Sequence, residues 1–453
     1  MGKIDQATLK KMIKENEITT IIIAAADMQG RLFGKRCSAK YFLEEALKGV
    51  HTCTVNLIWD IEQNLGENYI FSNWDTGFQD IKAIPDLSTM RIYPWFEKTA
   101  IVLADLYLEE GGEVTLGPRN MLRRQIDKAK ALGFEAKMAS ELEFYMLNET
   151  ADSAREKGYA NLTALSHNSA DYSIYRSSCD EWILGKMRHL LDDAGLEVEC
   201  TKAEWGHGQV ELNLMYTETM EMADRTVIMK NGIKEIAFLN NIMVTFMAKY
   251  ETEVTGSSFH LHASLWNEKG ENVLADTSDA YGLSEVGKNF LGGMMQLAPE
   301  LMCFYAPYVN SYKRLADTAG APNTLSWGFD NRTLSFRVVG SGPSKRVENR
   351  IPGADGNPYL VLAATLASGL YGIEKKIALP GPPVLKNASA MPGITKLPRN
   401  LMEAVTLFEN SKTVRELFGD DVVDHYTIAT RNEIDDFFKH VTDWEKRRYL
   451  EQI

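Results

Sequence analysis

The chain has 453 residues, 45% apolar and 25% charged, with a formal net charge of −13. That length holds two or more domains with a sizeable core, and the acidic balance argues against a nucleic-acid binder, which needs a basic stripe, and against an anionic membrane surface. Its five cysteines (Cys37, Cys53, Cys179, Cys200, Cys303) are scattered and lack a CxxC pair, so they read as reduced thiols of a cytoplasmic protein. No apolar run reaches a membrane span, and Met1–Gln6 lacks a signal-like apolar core.

In chain order, residues 5–16 predict a short amphipathic helix, and the β-branched run 19–26 a buried strand. Met28-Gln29-Gly30-Arg31 reads as a turn. Alternating apolar and turn stretches then predict a small α+β domain over residues 1–110, bounded by Gly111-Gly112 and followed by a larger domain over 111–453. Pro118 starts a helix that Gly133 ends. Residues 134–147 predict a strand, 148–178 a polar surface excursion, and 180–195 and 220–250 helices. A strand carries His260 and His262, residues 326–340 alternate as a strand, and 357–377 form a long helix. Residues 378–398, rich in Pro and Gly, are a loop. An amphipathic helix ending at Tyr449 closes the chain.

Three segments gather carboxylates and imidazoles. They are Ser140-Glu141-Leu142-Glu143-Phe144, the run from Glu204 to Glu211, and Gly256-Ser257-Ser258-Phe259-His260-Leu261-His262. A fourth, Arg346-Val347-Glu348-Asn349-Arg350, sets one carboxylate between two guanidiniums. Glu141 and Glu143 share a strand face, as do His260 and His262. Gathered carboxylates repel and resist burial, and a cation resolves both problems. Hard oxygen ligands with one His suit Mg²⁺ or Mn²⁺, and nearby arginines suit phosphate transfer. Each segment alone also reads as a solvated strand face, a structural core histidine or surface ion pairs. The signal lies in their joint presence.

The ordered set resembles the glutamine synthetase family over nearly the whole length. The family's Glu-x-Glu strand matches Glu141-Leu142-Glu143, and its Gly-Ser-x-x-His-x-His strand matches Gly256 to His262. Asn310-Ser311-Tyr312-Lys313-Arg314-Leu315, the run Ser326 to Arg332, and Arg346 to Arg350 with Pro352 to Tyr359 behind it match further family motifs. The resemblance implies an α+β fold: an N-terminal β-grasp domain, then a catalytic domain on an antiparallel sheet with flanking helices. It implies ring-shaped homo-oligomers with active sites at subunit boundaries. It implies two or more Mg²⁺ or Mn²⁺ ions per site, one held by Glu143, Glu204 and Glu211 and another by Glu141, His260 and Glu348. His262, Ser264, Arg332, Arg337 and Arg346 would bind ATP, and Gly256, Arg314 and Arg350 glutamate. Arg332, Arg337 and Arg350 would act in catalysis.

Two departures concern the ammonium pocket. The family's flap glutamate is replaced by Gly320 in Arg314-Leu315-Ala316-Asp317-Thr318-Ala319-Gly320-Ala321-Pro322. The family's Asp-Gly-Ser-Ser segment in the first domain is absent, and Asp75 or Asp80 stands near its place. Ammonium is a cation that needs acids to bind it and to take its proton. Losing one removes an anion and a base, and glycine opens volume for an N-substituent. The pattern therefore resembles the γ-glutamyl-amine ligases of the family, with Gly320 and Asp75 in the acceptor pocket. Glutamate, ATP and a small amine are the expected substrates. A glutamine synthetase using ammonium and a non-catalytic structural relative are the alternatives.

Overall fold

Two sheets organise the computed structural model, which describes residues 2–316 and 320–453. The first sheet contains β1 (Thr20–Ala26), β2 (Leu32–Ser38), β3 (Val50–Cys53), β4 (Asp80–Pro85), β5 (Arg91–Ile92) and β6 (Thr99–Leu108). Its order is β2-β1-β6-β4-β3, with β5 also on β6. β1 and β6 pair in parallel at its centre, and both read as near-continuous apolar runs, as strands covered on both faces do.

The second sheet contains β7 (Glu135–Leu147), β8 (Val198–Ala203), β9 (Gln209–Leu214), β10 (Thr217–Glu218), β11 (Met243–Thr245), β12 (Phe259–Trp266), β13 (Trp327–Phe329), β14 (Phe336–Val339) and β15 (Arg346–Asn349). Its main path is β13-β14-β15-β12-β7-β9-β8. On β7 the even-numbered residues Met138, Ser140 and Leu142 are buried, which turns Glu141 and Glu143 to the opposite face. The helix Pro358–Lys375 packs beneath. It is apolar almost all round, and every residue from 358 to 370 is buried.

The N-terminal sheet is anchored to this body by polar groups. Asn357, which caps the long helix, donates from Nδ2 to the carbonyls of Asp27 (3.1 Å) and Met28 (3.0 Å). Buried Arg119 reaches Asp86 (2.9 Å), Asp224 (2.9 Å) and Asp105 at once, so carboxylates of both units neutralise one guanidinium.

Several expectations change. The helix expected over 220–250 spans Thr219–Leu239; Asn241 then turns the chain with φ 58, and Met243–Thr245 joins β7 as a strand. The stretch 326–340 is two strands, β13 and β14, paired in parallel, so the sheet is not wholly antiparallel. The excursion 148–178 contains short helices at Ala151–Glu156 and Ile174–Cys179. Helices at Glu285–Leu297, Leu401–Asn410, Lys412–Phe418 and Asp420–Lys439 precede the terminal one, Asp443–Tyr449.

Candidate active site

Strand register assembles the site. On the open face, Glu141 of β7 lies opposite His260 of β12. Glu143 lies opposite Glu211 of β9, and Lys202 of β8 lies opposite Glu211 in turn. His262 faces Glu348 of β15, and Glu348 faces Arg337 of β14. Side chains two apart share a face and opposed residues sit about 5 Å apart, so four short segments become one polar quilt.

Two ligand clusters stand on it. Ligand atoms of Glu143, Glu204 and Glu211 lie within 4.8 Å of one another, and so do those of Glu141, His262 and Glu348. His260 also faces the second cluster: its Nδ1 is 2.7 Å from Glu141 and 3.8 Å from Glu348. The His260 Nε2 is buried without a hydrogen-bond partner among the described residues. His262 Nε2 is 3.4 Å from Glu141, and its Nδ1 is 3.3 Å from Nε of Arg346.

The clusters differ in electrostatics. Burial pushes Glu141 up, but His260 and His262 outweigh it and hold the carboxyl well below the usual range. Glu348 is fully buried; burial raises it, yet Arg350 and the two imidazoles bring it down to about 2. In the other cluster Lys202 contacts Glu204, but burial and the neighbouring carboxylates prevail at Glu143 and Glu211. Burial raises Glu143, and Glu204 adds to it against the pull of His260. Glu211 is pushed up to about 9 by burial and by Glu141, Glu204 and Glu143. Oxygen-rich ligands short of positive charge are what a hard divalent cation satisfies, so this donor set fits Mg²⁺ or Mn²⁺.

Arginines rim the clusters. Arg337 Nη1 donates to Glu348 (2.9 Å) and Arg350 Nη1 donates to its other oxygen. Among the described residues, Nε of Arg337, Arg350 and Arg314 are buried without partners, donors that an anionic substrate would satisfy. Arg314 is also braced internally, donating to the Ile351 carbonyl (2.8 Å) and to Ser258 Oγ (2.9 Å). A Cβ on Gly256 would come within 2.6 Å of Arg314 Cγ, so glycine there lets the guanidinium stem pass. His262, Ser264, Arg332, Arg337 and Arg346 line one cavity of about 560 Å³.

Neither expected acceptor residue joins these groups within the chain. Asp75 is exposed on a turn that Asn73 caps through Oδ1, and among the described residues no bond ties it to a cluster. Gly320 is exposed at φ +101, with open space where a Cβ would stand. Its neighbours Asp317, Thr318 and Ala319 lie outside the described residues.

Sequence reasoning missed several site residues. Gln209 Nε2 donates to the Gly256 carbonyl (3.0 Å) and to Glu143 (3.2 Å). Tyr172, Tyr216, Trp266 and Lys345 line the cavity. Lys202 contacts Glu204. Lone aromatic and basic residues carry no spacing signal; only the Gly-Gln-x-Glu turn hinted at Gln209.

Comparison with known proteins agrees with this geometry. Residues 115–449 match the glutamine synthetase catalytic-domain family. A glutamate–isopropylamine ligase of a Pseudomonas species is 42% identical over 449 residues, covering 98% of each chain. A gamma-glutamylethanolamide synthetase of Streptomyces coelicolor is 40% identical over 446 residues, covering 98% of this chain and 95% of that one. A solved structure of GmaS in complex with ADP superposes with a TM-score of 0.86 at 27% identity, covering 98% and 99% of the two chains. Paired clusters of carboxylate and imidazole groups, an arginine rim and full-length matches agree: the chain belongs to the glutamine synthetase family.

Proposed function

We propose that this protein is an ATP-dependent ligase that joins the γ-carboxylate of glutamate to an organic amine, giving a γ-glutamylamide, ADP and phosphate. The observation that carries the choice of an amine over ammonium is the pair of full-length relatives named for isopropylamine and ethanolamine. The open position at Gly320 supports it, because a glycine supplies neither the anion nor the base that a small cation would need at this place.

The cluster residues Glu143, Glu204 and Glu211 would hold one Mg²⁺ or Mn²⁺, and Glu141, His260 and Glu348 another. Bound there, divalent cations neutralise phosphate oxygens. We assign His260 rather than His262 to the second ion because its Nδ1 faces both carboxylates, whereas His262 opens into the cavity with Arg332, Arg337 and Arg346. Those four residues and Ser264 would take the ATP phosphates and sugar. Gly256, Arg314 and Arg350 would hold glutamate. A γ-carboxylate oxygen attacks the terminal phosphorus and ADP leaves. The amine nitrogen then attacks the acyl carbon and phosphate leaves, its proton passing to a base. Arg332, Arg337 and Arg350 offset the charge that develops on the transferred phosphoryl group.

In this reading residues 1–110 and 111–453 are the two domains. Copies assemble into a cytoplasmic ring in which the neighbour's first domain brings Asp75 toward the acceptor. Supporting these is the family membership. No helix of the described residues is long and apolar enough to cross a membrane.

The test is a phosphate-release screen with glutamate, ATP, Mg²⁺ and a panel of alkyl-, hydroxyalkyl-, poly- and arylamines, with products identified by mass spectrometry. A γ-glutamylamide formed in step with phosphate supports the assignment. Turnover with no amine and none with ammonium would sink it in favour of a non-catalytic relative.

A further inference from the structure

The three-carboxylate cluster already has a resident cation. Lys202 sits across the ladder from Glu211, and its ammonium contacts Glu204. The same Nζ is 3.1 Å from Asp171 and 4.3 Å from the Tyr172 ring centroid. Asp171 and Tyr172 belong to the surface excursion, not to the sheet. Tyr172 lines the 560 Å³ cavity at φ 56, a left-handed conformation that a bulky residue rarely adopts. Tyr172 is the third residue of a turn closed by the Ser173 amide on the Ala170 carbonyl (2.6 Å), and its ring is largely exposed; the Lys202 ion pair and cation–π contact tie this turn to the sheet.

We infer that Lys202 is a positioning residue that couples cation loading of the Glu143–Glu204–Glu211 cluster to closure of the Asp171–Tyr172 rim over the cavity. Without a divalent cation, the ammonium divides itself between Glu204 and Asp171. A cation taken by Glu204 competes for the same carboxylate oxygens and repels the ammonium. Lys202 then turns wholly to Asp171 and holds the rim against the sheet. Linkage is reciprocal, so whatever strengthens the pairing to Asp171 strengthens cation binding, and removing Asp171 weakens it. The proposal rests on the cluster reading above but not on the identity of the acceptor.

The test uses Mn²⁺ and the full chain without nucleotide. Mn²⁺ affinity is followed by electron paramagnetic resonance, and rim closure by the rate of limited tryptic cleavage after Lys157 and Arg176. In the wild type, Mn²⁺ should slow cleavage. In Lys202→Met, cleavage should be fast and insensitive to Mn²⁺, while Mn²⁺ binds roughly fivefold tighter, the effect of removing one part-buried competing charge. In Asp171→Asn, Mn²⁺ should bind more weakly and give no protection. Lys202→Arg should restore protection. The proposal is overturned if Mn²⁺ leaves wild-type cleavage unchanged, if Asp171→Asn keeps full protection, or if Lys202→Met binds Mn²⁺ more weakly than the wild type. Failure to find an amine substrate would leave these readouts intact, so the two readings fail separately.

Discussion

Arg337 and Glu348 face each other across the β14–β15 ladder, with Nη1 2.9 Å from Oε2. Arg350 holds the other carboxylate oxygen, and Glu348 is wholly buried. In the proposed function this one acid would serve two purposes, as a cation ligand and as the counter-charge for the two guanidiniums that contact it.

Glu348→Ala is therefore expected to abolish ligation and also to destabilise the fold. Removing one partner of a buried pair typically costs about 3–5 kcal/mol. Glu143→Ala should abolish ligation as well, by at least about a thousandfold, since it removes a ligand oxygen worth several kcal/mol of charge stabilisation. Turnover at ordinary Mg²⁺ and thermal melting check both. Near-wild-type turnover in either variant would show the ligand assignment to be wrong.

Arg350→Lys keeps the charge but loses the planar fork. Its Nη1 is committed to Glu348, and among the described residues its Nε is buried without an acceptor; an ammonium cannot present both donors in that planar arrangement. A fall in kcat/KM of about a hundredfold is expected, the scale of losing one aimed donor. Unchanged KM for glutamate together with unchanged kcat would refute the role.

The sequence made some of this plain and hid the rest for physical reasons. Glu141, Glu143, His260 and His262 were legible because a strand's two-residue period puts each pair on one face. Their mutual contact was not, because register is a long-range property. The sequence pattern predicts the helix that starts at Thr219 but not its end at Leu239. The run Ile242-Met243-Val244-Thr245-Phe246 is apolar except for Thr245, and periodicity cannot separate a buried strand from a helix in such a run. Lys202 was overlooked because a lone lysine on a strand is ordinarily solvated, and only the fold sets it against three carboxylates. Asp75 and Gly320 stand out only as departures from the family's motifs, and among the described residues neither contacts the clusters.

Cation binding should release protons. Glu211 has its pKa raised to about 9 from an ordinary 4.5, and Glu143 is raised too. A raised carboxyl contributes stability fully below about 4.5 that is lost as pH climbs toward about 9. A bound cation removes that loss. The rise in melting temperature caused by Mg²⁺ should therefore grow from about pH 6 to about pH 9, and calorimetric binding heats should depend on the buffer's ionisation enthalpy. A thermal shift that is flat or shrinking across that range would contradict the account of Glu143 and Glu211 as raised carboxyls that a cation would ionise.

Gly320→Glu should move acceptor preference toward ammonium by supplying the missing acid and filling the open volume. At φ +101 any side chain is strained, by about 1–3 kcal/mol, so Gly320→Ala is the proper reference because it carries the same strain without the charge. If the ammonium-to-amine ratio of kcat/KM is equal in the two folded variants, Gly320 does not face the acceptor.

The central claim is that the acceptor is an organic amine. It is tested most directly by kcat/KM of the wild-type enzyme for ammonium and for each amine of the panel, with saturating glutamate, ATP and Mg²⁺. The account predicts that at least one alkylamine or aminoalcohol exceeds ammonium, with the matching γ-glutamylamide as product. Ammonium turned over better than every amine, with glutamine as the product, would contradict it and leave a glutamine synthetase.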